Sequence, residues 1–142
     1  MVKNILKKFY EQKGRIFMEK EILTDKDFAE KVILLNLAKS YDSENPPTKF
    51  ELYEITRGYW RISLDSVKNV EYALAVAGGE ILEVYKIAAW FPAETTLRSV
   101  ETPSENVESR CEFVGNIASE DIRKKYIGKQ VQTYQNPVHI IS

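Results

Sequence analysis

Residues 71–90, EYALAVAGGEILEVYKIAAW, set two runs of strand-forming residues on either side of the pair Gly78-Gly79. Two glycines between such runs signal a two-residue hairpin loop, because the turns favoured there need positive φ. Side chains alternate across a strand, so Tyr72, Leu74 and Val76 share one face and Ala73, Ala75 and Ala77 the other. Both faces are apolar, which predicts a central hairpin covered on both sides. The alanine row predicts a neighbour that approaches closely, either a helix or the inner wall of a small barrel. Glu83 and Lys86 predict that the second strand runs out to an edge or a rim.

The elements around this hairpin follow from their punctuation. In residues 1–23, Ile5, Leu6, Phe9, Ile16 and Phe17 stand near helical spacing, which predicts an amphipathic helix with a basic solvated face. Thr24 or Asp25 is placed to cap a short helix, and KVILLNLA (31–38) reads as a strand. Pro46 and Pro47 lie in a loop, and Thr48 with Glu51 three residues on forms a capping box for a short helix over KFELYEIT. Residues 91–109 form a long acidic loop. RCEFVGNIA reads as a strand, SEDIRKKYIG as a helix capped by Ser119 and ended by Gly128, and NPVHIIS as a closing strand.

With 142 residues the chain has the length of one domain. The expectation is an α+β fold with five or six mostly antiparallel strands and three or four short helices. The sheet is expected to be small, antiparallel and curved or barrel-like. Residues 1–30 would be a helical extension packed on a core of residues 31–142.

The formal net charge of -1 gives no broad positive field to attract nucleic acid. The single cysteine, Cys111, rules out an internal disulfide and fits a reducing compartment; its strand setting reads as a small buried hydrophobe. Lys3, Lys7 and Lys8 interrupt the apolar residues at the start, and no later run is long enough to span a bilayer. The expected location is the cytoplasm, with no membrane partner.

No zinc-ligand pair, H-E-x-x-H or P-loop pattern is present, so no metal and no cofactor is expected. His139 is the only histidine, and Glu80 and Glu83 fall on opposite faces of a strand. A nuclease or hydrolase built from scattered carboxylates and His139 is therefore one reading. A protein-interaction partner, using the basic N-terminal segment or the acidic loop, is another.

The leading reading starts from YEITRGYWRIS, residues 53–63. A strand after Gly58 would put Trp60 and Ile62 in the core, and Tyr59 and Arg61 on a polar face with Arg57 nearby. Two guanidiniums beside a tyrosine can hold an anion or stack on a base. Alternatively, Arg57 pairs with Glu51 or Glu54 and fixes the helix.

The pattern LYE-x-TRG-x-W, then EVY-x-I-x-x-W-x-PA, FVG, YIGK and QNP, runs through residues 32–141. It resembles a family of small bacterial proteins that occur alone or fused to restriction-type nucleases. This chain departs from the family in lacking the basic residues usual between Arg61 and Tyr72, where it has ISLDSVKNVE, and in its extra residues before Lys31. The resemblance implies a PUA-like fold and a non-catalytic module that binds nucleic acid or a nucleotide. Such a module reads a base with aromatics for stacking and amide or guanidinium donors for the base edge. Tyr41, Tyr53, Arg57, Trp90, Gln135 and Asn136 are the ligand-binding residues it implies.

Overall fold

The structure is a computed structural model that describes residues 9–12, 15–18, 22–99, 107–132 and 135–142. In chain order its strands are β1 (Phe9–Gln12), β2 (Arg15–Met18), β3 (Ile22–Leu23) and β4 (Val32–Asn36). Helices α1 (Lys49–Thr56) and α2 (Leu64–Val67) precede β5 (Tyr72–Ala77) and β6 (Glu80–Pro92). Then come β7 (Cys111–Ile117), α3 (Glu120–Tyr126), β8 (Gln130–Val131) and β9 (Val138–Ile141).

The central hairpin forms as its glycines require. Gly78 and Gly79 take φ of +59° and +78°, and β5 and β6 pair antiparallel from Tyr72↔Lys86 to Ala77↔Glu80. Register shifts between Ala75↔Glu83 and Val76↔Ile81, so β6 carries a bulge there. Both faces of the hairpin are covered, as their apolar character demands. Leu74 and Val76 join Val32, Leu34, Ile81, Val84 and Tyr126 in one core. Ala73 and Ala75 join Ile33, Leu35, Val67, Tyr85 and Phe113 in a second core on the other face. Helices α1 and α2 lie on the alanine face, where Leu52, Tyr53 and Ile55 pack down, and α3 covers the opposite face.

The sheet departs from the expectation in two ways. Its seven strands run β3-β8-β6-β5-β4-β9, with β7 also paired to β6, and this path stays open, so of the curved or barrel-like sheet expected the barrel does not form. It is also mixed, because β4 runs parallel to β5 and β3 parallel to β8. The parallel pair arises because α1 and α2 occupy the crossover between β4 and β5, returning the chain to the same end of the sheet.

The Thr48 capping box holds in the structure, whereas Ser119 stands at the N-cap of α3 without a side-chain cap hydrogen bond. Thr48 Oγ1 accepts from Glu51 N at 3.2 Å, and Glu51 Oε1 accepts from Thr48 N at 3.0 Å. Thr24 opens a single 3₁₀ turn at Asp25–Asp27, shorter than the helix expected there. The expected N-terminal helix is not found where residues are described. β1 and β2 form an antiparallel pair from Phe9↔Met18 to Gln12↔Arg15, so the strand preference of Phe9, Tyr10, Ile16 and Phe17 prevails over their spacing. Residues 1–8 and the middle of the acidic loop, 100–106, lie outside the described residues. Among the described residues no helix is long and apolar enough to cross a membrane.

Candidate functional site

Helix α1 ends at Arg57, whose N–H donates to Tyr53 O at 3.0 Å. The chain then turns and lies along the outer edge of β7. Phe113 N donates to Arg57 O at 2.8 Å, Trp60 N to Cys111 O at 2.9 Å, and Cys111 N to Trp60 O at 2.8 Å. The expected strand after Gly58 is thus reduced to one antiparallel bridge, Trp60↔Cys111. Gly58 permits the close approach, since a Cβ there would meet Arg98 Nη1 and Glu112 Cβ, each at 2.8 Å. Trp60 is half-buried against the alanine-face core, and its indole N–H donates to Thr56 O at 2.7 Å, closing the helix end.

Arg57 was expected among the ligand-binding residues, but it is 2% exposed. Its Nε donates to Phe113 O at 3.1 Å, and Nη1 reaches Leu97 O at 3.4 Å and Glu54 Oε2 at 3.5 Å. Nη2 donates to Thr96 Oγ1 and stands 3.6 Å from Oε2 of the fully buried Glu112. Arg98 joins the same network through Nη2, which donates to Glu54 O at 2.7 Å, and its guanidinium stacks 4.6 Å from the Tyr59 ring. Burial, together with the nearby positive charge of Arg57, holds Arg98 below the usual guanidinium range. Two guanidiniums face two carboxylates here, so the network balances its own charge. Arg57 is a strut joining α1, β7 and the segment 96–98.

The structure brings Tyr53, Arg57 and Trp90 together around Phe113, but as core. The Trp90 and Phe113 rings lie 5.2 Å apart, those of Tyr53 and Tyr85 5.5 Å apart, and Gly115 N donates to Tyr53 OH at 3.0 Å. Burial pushes the Tyr85 phenol up, and the Glu83 charge beside it adds to the effect. Tyr41 packs at the margin of the same core. Gln135 and Asn136 are exposed on the bend before β9. Asn136 borders a separate small cleft with Asn36, Gln132 and His139, whose free space of about 20 Å³ suits roughly one water molecule.

The groups expected of an enzyme do not converge. Glu83 is buried in β6 and held by Arg123 through two bonds of 2.8 and 3.1 Å. His139 lies on β9, with β5 and β4 between it and Glu83, and its Nε2 is 3.1 Å from the Asp25 carboxylate. Among the described residues no three His, Cys, Asp or Glu side chains converge to hold a metal ion.

An open cleft of about 600 Å³ lies beside the Trp60↔Cys111 bridge. Its antiparallel register sets Arg61 opposite Arg110, and both line the cleft. Arg61 is exposed. Arg110 is half-buried, its Nη1 donating to Tyr59 O at 3.1 Å while its buried Nε has no hydrogen-bond partner among the described residues. Ile62, Leu64 and Pro92 supply apolar walls, and Ser63 and Glu108 add polar groups. Cys111 also lines the cleft. It is a buried, inert thiol whose Sγ donates to Ile62 O at 3.0 Å, with burial pushing its pKa up. Of this pair, the sequence set Arg61 on a polar face but did not include it among the ligand-binding residues, and it gave no sign of Arg110, which comes from a segment about fifty residues further along the chain. No protein-family model, no curated protein and no solved structure matches this chain.

Proposed function

We propose that the chain is a non-catalytic binding module, and that the cleft between Arg61 and Arg110 takes the phosphate of a nucleotide or of single-stranded nucleic acid. One observation carries this reading: two arginines sit at facing positions beside an antiparallel bridge and line one open cleft. Like charges at facing cross-strand positions disfavour each other, so an anion bound between them would be favoured. Guanidinium geometry matches phosphate oxygens, and Ile62, Leu64 and Pro92 offer an apolar surface for the sugar or base. The pattern's resemblance to small bacterial proteins that occur alone or fused to restriction-type nucleases accords with such a ligand.

Two phosphate-binding arginines set a modest salt dependence. Fluorescence anisotropy of labelled single-stranded DNA and RNA, titrated at several salt concentrations, should give a slope of log K against log salt of about −1.4. Arg61→Ala and Arg110→Ala should each weaken binding about ten-fold. No binding at any salt concentration would remove this reading.

A further inference from the structure

Glu108 is the odd member of a cleft whose other charged groups are two arginines. It sits on the 3₁₀ turn Val107–Ser109, is exposed, and lines the same space. Among the described residues no ion pair joins it to Arg61 or Arg110. A carboxylate that does not neutralise the guanidiniums repels an incoming phosphate, and it accepts hydrogen bonds without donating any. Such a group is useful to a ligand only if the ligand brings an N–H donor as well as an anion.

Resting on the phosphate-binding reading above, we infer that the cleft selects nucleotides whose base carries an exocyclic amine, with Glu108 accepting from that amine. Cytosine presents an N–H₂ group at its 4-position, whereas uracil presents a carbonyl oxygen there. A carboxylate facing the first makes a charge-assisted hydrogen bond; facing the second it meets another acceptor. The cleft is large enough for a mononucleotide to reach Glu108 and the arginines together. Glu108 is thus the specificity-determining residue, and Arg61 and Arg110 supply affinity common to all nucleotides.

CMP and UMP differ at this edge of the base and share their phosphate and sugar, so they are the probes. Titrations of the full chain followed by NMR should show CMP binding on the order of ten-fold more tightly than UMP. Glu108→Gln should bring the two affinities together, because a carboxamide can either accept or donate. Unchanged thermal unfolding of the variant would confirm that its fold is intact. Equal CMP and UMP affinity in the wild type would overturn the inference and leave the phosphate site standing. A preference for CMP that survives Glu108→Gln would overturn the role of Glu108. Failure of both nucleotides to bind would overturn the phosphate site and the inference with it.

Discussion

Truncating Arg57 would remove the ion-pair partner of two buried carboxylates, Glu54 and Glu112, and leave Arg98 as the one guanidinium of the network. Breaking a buried ion network by removing one partner typically costs about 3–5 kcal/mol, so Arg57→Ala should lower stability by that amount in chemical denaturation. Arg57→Lys should recover little, because a point charge cannot reach Phe113 O, Thr96 and both carboxylates at once. An Arg57→Ala protein as stable as wild type would show that the network is not structural. Sequence alone offered both readings of this residue, as a ligand contact or as a partner of Glu51 or Glu54. Glu54 is indeed a partner. The burial was invisible in the sequence because the other partners come from residues 96, 97, 112 and 113, brought in only by the pairing of β7 with β6. Trp60 was easier to place, since indole area beside an apolar neighbour has few places to go but inward.

At the scale of elements, local chemistry was legible where a turn or cap decides the outcome alone. Gly78 has positive φ and open space where a Cβ would sit, so its cost on substitution is conformational. Gly78→Asn should stay close to wild type in thermal unfolding, whereas Gly78→Val should cost about 1–2 kcal/mol. Equal effects of the two would argue against the turn. Helix α3 carries a different dependence. Tyr126 OH and Lys125 Nζ both donate to Glu30, and Tyr126 stacks on Phe28 at 5.0 Å. Burial pushes the Glu30 carboxyl up, but these hydrogen bonds outweigh it and hold the group below the usual carboxylate range. Its folded pKa is therefore depressed, so its contribution is present at neutral pH and is lost as pH falls below about 4. Unfolding midpoints of wild type and Glu30→Gln should differ at pH 7, and the gap should narrow progressively as pH falls through the acid range. A gap of constant size would contradict the linkage. Two elements misled the sequence reading for physical reasons. The spacing in residues 9–18 fits a helix, yet the residue types favour strands; the chain after Gly58 alternates like a strand but finds only one bridging partner.

For the molecule as a whole, the two-sided burial of the central hairpin was legible in the sequence, and the topology was not. Whether β4 runs parallel to β5 depends on how α1 and α2 return the chain, a matter of long-range packing that leaves no local mark. The open sheet has β9 beside β4 and β3 beside β8 at the two ends of its main path, with β7 branching from β6. The cleft is likewise a product of topology, because Arg61 and Arg110 meet only when the segment after α1 borders β7. The most direct test of the account is NMR chemical-shift mapping with a nucleoside monophosphate. Shifts concentrated on the amides of residues 61–64 and 108–111 are the predicted result. Shifts centred on Asn36, Gln132, Asn136 and His139, or none at any concentration, would contradict it.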